Sequence, residues 1–311
     1  MAEHPEKVIL ATQRAKWHWP HFVPYWLARE QGIYKEEGLP DVDQMDTGDW
    51  GPMLEGLLDG SIHFGVDMST GFVLRQRSQG ADIAIIAGAR NRSNDVLVGG
   101  KGIRSVQDLR GKNVPILRQG VGFPHLCRIL EEAGLKPDVD VMLGEDTARG
   151  GTAEHYRLLR EGKMPAAFVA FHNAEKLRAE GHVWLVNLRE VVPDYADRVM
   201  VTSGRMIREH PETVKAAIKA IVRGYRAERD QEAVRQVVAK EGFLDGFFDD
   251  TYETHAYRLA MDGGITRQAL QVVIDEEKRF GRLAASFGQE DVVRAEYLVA
   301  AQRELGLPVN V

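Results

Sequence analysis

The stretch Lys16-Trp17-His18-Trp19-Pro20-His21 sets two indoles and two imidazoles side by side, the densest run of such groups in the chain. Indole faces are flat apolar walls for an aromatic or heterocyclic ligand. An imidazole hydrogen-bonds a polar group as donor or acceptor. Packing of the following helix N-terminus is an equally open role for one of the Trp rings. Three other runs could do related work. Asp67-Met68-Ser69-Thr70 carries hydroxyls suited to capping a helix while facing whatever lies beyond a strand end. Arg118-Gln119-Gly120-Val121-Gly122 pairs glycines that permit close backbone approach with a guanidinium fork for a carboxylate, sulfonate or phosphate. Phe171-His172-Asn173 supplies another imidazole. Each of these runs also has an ordinary structural use as a turn or cap.

Other chemistries are excluded by spacing. His18, His21 and His172 match no local zinc pattern such as H-E-x-x-H, so no metal is expected. Cys127 is the single cysteine. It cannot form an intramolecular disulfide and excludes cysteine-based metal frameworks. His125 lies two residues from Cys127 and so on another helix face, which argues against a Cys–His nucleophile pair. His63 sits in a strand pattern and reads as a hydrogen-bonded core histidine. No G-x-S-x-G elbow, P-loop or dinucleotide fingerprint occurs, and no cofactor is expected.

These residues need a scaffold, and the hydropathy pattern describes one. Strands are predicted at Val8–Thr12, Asp41–Met45 and Ile62–Val66, and an apolar run covers Ile83–Gly88. Helices at Pro20–Glu30, Trp50–Asp59 and Thr70–Gln79 alternate with them. This βαβα rhythm predicts helices on the faces of a largely parallel sheet. The rhythm restarts after Gly99-Gly100. Strands at Asn113–Leu117, Val139–Leu143, Ala166–Ala170 and Val183–Leu188 alternate with helices at Gly122–Glu132, Thr152–Glu161 and Ala174–Ala179. Extended runs at Asp82–Val98 and Arg198–Thr202 flank this block and suggest a two-strand crossing. The expected organisation is a first lobe over 7–95, an inserted second lobe over 96–197, and a return over 198–311. Beyond His210, stripes of helical period over Pro211–Val238, Asp250–Met261, Thr266–Leu283 and Gln289–Glu304 predict helices that cover the first lobe. In open α/β sheets ligands sit beyond the carboxyl ends of strands, where helix N-termini present free N–H groups. Gln13–His18, Asp67–Thr70 and Arg118–Gly122 hold that position.

The chain of 311 residues is long enough to bury a large core without metal or disulfide staples. A net charge of −6 with scattered Lys and Arg argues against a nucleic-acid surface. No apolar run approaches the roughly 20 residues of a membrane span. The first residues, Met1 to Lys7, carry no basic region and no long apolar core, so no secretory signal is read there. The expected location is periplasmic if an export signal has been removed, and cytoplasmic if Met1 is the true start.

Four stretches in order resemble the type II solute-binding proteins of the nitrate, sulfonate, taurine and thiamine-precursor group, the NMT1/THI5-like and SsuA-like receptors of ABC importers. They are Leu27–Leu39 (LAREQGIYKEEGL), Leu57–Val66 (LLDGSIHFGV), Ile103–Val114 (IRSVQDLRGKNV) and His210–Val214 (HPETV). The resemblance spans about residues 7–240. It implies a two-lobed α/β fold of the type II periplasmic-binding class with a helical C-terminal extension. A small ligand, anionic and aromatic in the fullest form of this reading, would be held between the lobes for delivery to an ABC permease. The site implied is Gln13, Trp17, His18, Trp19, Asp67, Ser69, Thr70, Arg92, Arg118, Gln119, Gly120, Val121, Phe171 and His172. Arg92 enters by its position after the apolar run at the crossing. The same fold also serves enzymes. The related pyrimidine synthases carry a cysteine-rich segment that is absent here, and a related desulfinase places its cysteine where this chain has Trp17-His18. The alternative is therefore a cofactor-independent enzyme acting on an aromatic or heterocyclic acid, with His18 or His172 moving the proton.

Overall fold

The computed structural model describes residues 5–12, 19–39, 41–118, 120–146, 151–244, 248–249, 252–253, 256 and 259–311. In chain order the strands are β1 (Val8–Thr12), β2 (Val42–Asp46), β3 (Phe64–Ser69), β4 (Ile83–Arg92), β5 (Asp95–Gly99), β6 (Asn113–Ile116), β7 (Met142–Glu145), β8 (Ala166–Ala170), β9 (Val183–Asn187) and β10 (Asp194–Ser203). The chain divides into two units, one of residues up to Arg92 with Asp194–Val311, the other Ser93–Pro193. The second boundary falls just before β10, so the expected boundary after residue 197 would cut that strand.

The first unit is built on a sheet of order β2-β1-β3-β10-β4. The β1 sequence VILAT has no charged residue and is buried on both faces, as a strand between two parallel neighbours requires. Helices α1 (Val23–Glu30) and α2 (Ile33–Glu36) lie between β1 and β2 in the chain, α3 (Trp50–Asp59) precedes β3, and α4 (Thr70–Ser78) precedes β4. The return strand β10 is antiparallel to both β3 and β4. The sheet is thus largely parallel as expected, with β10 running against the other four strands. Apolar runs report burial, whereas strand direction depends on which strands the crossings make neighbours.

After α9 (Gly204–Glu209) the C-terminal part supplies α10 (Pro211–Ala227) and α11 (Gln231–Lys240). The single helix expected over Pro211–Val238 is therefore broken. Asp230 caps α11 by accepting from the Glu232 and Ala233 N–H groups, each at 3.1 Å. Half of the helix expected over Asp250–Met261 lies outside the described residues; Tyr252, Glu253 and Ala256 are helical, and Leu259 bridges Arg90 in antiparallel fashion. Gly224 lets α10 approach α1, because a Cβ there would collide with the Pro24 carbonyl. That approach brings the Tyr25 and Tyr225 hydroxyls to 3.4 Å. Two further helices, α12 (Arg267–Arg279) and α13 (Ala295–Glu304), extend the unit beyond the α/β core. The first is tied on by Glu277 to Arg75 at 2.8 Å and by Tyr195 to Glu276 at 3.0 Å.

The second unit holds an antiparallel sheet of order β8-β5-β9 and a parallel pair β6-β7. Its helices are α5 (Gly122–Glu132), α6 (Gly151–Arg160), α7 (Phe171–Ala179) and α8 (Leu188–Val191). Cys127 and His125 are both buried inside α5.

Candidate functional site

Strands β1, β2, β3 and β4 all finish at one edge of the first unit's sheet, and the antiparallel β10 begins there. Thr12, Asp67–Ser69, Arg90–Arg92 and Asp194–Arg198 are therefore gathered along that edge. Asp67 occupies a bulge. Val199 pairs with Met68 and Val201 with Gly65, so β3 carries one residue more than β10 over this interval. Asp67 takes up the excess in the left-handed region, with φ +57°. Aspartate tolerates this conformation better than most residues, at a cost of about 1 kcal/mol or more.

The bulge turns the Asp67 carboxylate into a hub. Its Oδ1 lies 3.1 Å from Arg90 Nε, and its Oδ2 lies 3.8 Å from Arg198 Nε. The same Oδ2 accepts from His21 Nδ1, which the short 3-10 turn Trp19–His21 presents. A carboxylate only accepts hydrogen bonds, so His21 must carry its proton on Nδ1. Arg198 also donates from Nη1 to Asp197 at 2.7 Å and lies over the Trp50 ring, 5.3 Å from its centroid. Beneath the hub Glu228 is fully buried. Burial pushes its carboxyl well above the usual range, with Arg90 opposing that shift and Asp67 adding to it. Burial likewise raises both tyrosine hydroxyls, so Tyr25 and Tyr225 remain neutral donors and acceptors.

Of the residues the sequence nominated, Gln13, Trp17, His18 and Gln119 lie outside the described residues. Trp19 is only 4% exposed and stacks on Phe248 with centroids 5.6 Å apart, within a cluster that includes Phe22, Val23 and Trp26. It thus takes the helix-packing role. Asp67 is at the edge as expected, and Ser69 and Thr70 are buried beside it at the start of α4. Ser69 holds the N-cap position without a side-chain cap bond. Arg92 is exposed at the end of β4.

The nominated residues of the second unit are placed separately. Arg118 grips Asp138 with both arms, at 2.9 and 2.7 Å, and donates to the Leu143 carbonyl at 2.9 Å. Three of its hydrogen bonds are thus made within its own unit. Gly120 closes a turn onto the Leu117 carbonyl at 2.8 Å, and Val121 precedes α5. Phe171 lies under the Arg189 guanidinium at 3.6 Å, with half-buried His172 next in α7. His63 accepts from the Ile9 N–H at 3.0 Å, the scaffold role expected of it.

Sequence reasoning met Arg90 in the run Arg90–Arg92 but chose Arg92, and it missed Arg198, Glu228, Arg189 and His155. The last is buried between the Phe168 carbonyl at 3.1 Å and Asp146 at 2.9 Å. The one available signal was a charged residue inside an otherwise apolar strand run, which Arg90 satisfies. Among the described residues, no group of three or more His, Cys, Asp or Glu is arranged to hold a metal ion. No described helix is long and apolar enough to cross a membrane.

The sequence model for the family described as NMT1/THI5 like matches residues 19–232, which include His21, Asp67, Arg90, Arg198 and Glu228. The chain belongs to this family. Among solved structures, the member shares its fold with the alkanesulfonate-binding protein SsuA from Xanthomonas axonopodis pv. citri bound to MOPS. That match has 17% identity and a TM-score of 0.68 over 94% of this chain and 100% of the other. The periplasmic nitrate-binding protein NrtA from Synechocystis PCC 6803 matches at 15% identity and a TM-score of 0.70, over 97% of this chain and 89% of the other. The desulfurization enzyme DSZB matches at 16% identity and a TM-score of 0.71, over 96% and 100%. A search of curated protein sequences found no match. For this NMT1/THI5-like member, likeness at these identities establishes the two-lobed α/β fold, and its function has to be argued from its own residues.

Proposed function

We propose that this protein binds a small organic anion at the carboxyl edge of the first unit's sheet, without bond chemistry, for delivery to an ABC permease. The observation that carries the reading is the gathering of Arg90, Arg198 and His21 around the bulged Asp67, at the strand ends where α/β folds take ligands. Asp67 acts here as the holder of the cations, and Ser69 and Thr70 open α4, whose N-terminus favours negative charge. The sulfonate- and nitrate-binding relatives support an anionic ligand. A thermal-shift screen of sulfonates, aromatic carboxylates and nitrate tests the reading. A ligand at one hundred times its dissociation constant stabilises the fold by about 2.7 kcal/mol. Stabilisation by neutral compounds alone would contradict it.

One observation favours a second reading, an enzyme on the same scaffold acting on an aromatic or heterocyclic acid. Asp67 fixes the His21 ring through Nδ1, the arrangement that orients an imidazole for proton transfer at Nε2. His21 would then take the role first assigned to His18 or His172. Loss of turnover in His21→Gln, with ligand affinity retained, is the result this reading requires.

A further inference from the structure

The edge site holds two buried polar groups with no hydrogen-bond partner among the described residues. The Trp50 indole Nε1 and the Thr70 hydroxyl Oγ1 are each buried without a hydrogen-bond partner among the described residues. Thr70 is only 1% exposed and is the first residue of α4, a nine-residue helix. A buried polar group left unpaired costs about 1–3 kcal/mol, so two in one place call for an explanation. Ring contacts and strand register tie them to one locality. The Trp50 and Phe72 rings lie 5.8 Å apart, and Phe72 is two residues beyond Thr70 on α4. Arg198 lies over the Trp50 ring and pairs in register with Ser69, the residue before Thr70. Its Nη1 is committed to Asp197, while Nη2 has no partner among the described residues.

We infer that Trp50, Thr70 and Arg198 form a donor-only subsite that selects the ligand's anionic group, with Trp50 the specificity-determining member. The inference rests on the reading of this edge as the ligand site. An indole N–H and a guanidinium only donate, and the hydroxyl is free to donate as well. An oxyanion offers lone pairs to all three and leaves no donor of its own unpaired. An ammonium group in the same place would set N–H groups against N–H groups, and a site built this way rejects it strongly; the carbonyl of a neutral amide accepts without the charge that strengthens each bond to an oxyanion. In the second unit Arg118 is instead paired with Asp138.

The test uses the full chain with methanesulfonate, acetate and nitrate as probes and acetamide as the neutral control. The Trp50 indole ¹H–¹⁵N resonance, assigned in the wild type, is followed during titration, and dissociation constants are measured by calorimetry. Trp50→Phe keeps an aromatic ring for Arg198 and removes the N–H together with part of the indole. The expected result is a displaced Trp50 resonance with at least one anion, no response to acetamide, and binding about tenfold weaker in Trp50→Phe, the ratio for one lost hydrogen bond. Thr70→Val gives a comparable loss and serves as the second variant should Trp50→Phe melt early. Binding of an anion with an unmoved Trp50 resonance and undiminished affinity in both variants would overturn the subsite while leaving the anion-binding function intact. Failure of every anion to bind the wild type would overturn that function, and the subsite with it.

Discussion

Replacement of Asp67 by alanine tests the hub directly. Arg90 has a side chain only 4% exposed and sits 3.1 Å from the carboxylate that would be lost. Removing one partner of a buried ion pair costs about 3–5 kcal/mol, because the remaining charge stays buried. Arg198 adds little, since it is 3.8 Å away and 16% exposed. Alanine recovers none of the backbone strain at φ +57°, because its Cβ meets the same obstruction. Glycine would recover about 1 kcal/mol of it. The expected loss is therefore about 3–5 kcal/mol for Asp67→Ala, and about 1 kcal/mol less for Asp67→Gly. For a folding unit of this size each kcal/mol lowers the melting temperature by about 2–4 °C, so a fall of roughly 6–20 °C is expected. Urea unfolding with the slope held constant gives the energy, and thermal unfolding gives the midpoint. Combining Asp67→Ala with Arg90→Met removes both charges and should restore much of the loss. A loss below about 1 kcal/mol for Asp67→Ala, or a double variant whose losses simply add, would refute the buried-pair argument.

Three further outcomes follow from the same geometry. Burial keeps Glu228 protonated in the fold, whereas in the unfolded chain it ionises around its ordinary value of 4.5. The folded state therefore holds the extra proton, so this group's contribution is complete below pH 4.5 and declines as pH rises through the folded value. Glu228→Gln removes that decline, and its stability relative to wild type should grow from pH 4.5 upward; a constant difference in urea unfolding across this range would contradict the burial. Gly224→Ala forces a Cβ against the Pro24 carbonyl and should destabilise by about 1–3 kcal/mol, with a change inside 0.5 kcal/mol in thermal unfolding as the contrary result. Arg198→Ala should weaken anion binding by about 1.5–3 kcal/mol in calorimetry, while Arg118→Ala changes it by less than about 0.5 kcal/mol; the reverse order would move the site to the second unit.

Local elements were legible where local chemistry encodes them. Helix α3 occupies Trp50–Asp59 as expected because Asp49 accepts from the Trp50 N–H at its start and left-handed Gly60 ends it. The ranges of β1, α5 and β8 are also as read. The break at Asp230 was missed because apolar periodicity continues across it while a single capping carboxylate interrupts the backbone. The antiparallel direction of β10 was not legible, since it meets β3 and β4 only after a hundred residues of intervening chain. The site shows the same division. Hydroxyls at the end of β3 could be named because strand ends and caps are local patterns. The bulge that turns Asp67 toward Arg90 needs β10 as its partner and has no local sign. Arg118 was the natural choice for a ligand cation by residue type, but Asp138, twenty positions along, holds it. Trp19 shows that residue type alone does not separate a ligand wall from a core ring; the stack on Phe248 decides it.

The central claim is that a small anion is bound at the carboxyl edge of the first unit's sheet. A crystal structure grown with the anion that stabilises the protein most in the thermal screen tests this claim most directly. The account expects the anion within hydrogen-bond distance of Thr70 and Arg198, with Asp67 still holding Arg90 and His21. An anion bound instead through Arg118 or Arg189, with the Thr70–Arg198 edge untouched, would contradict it.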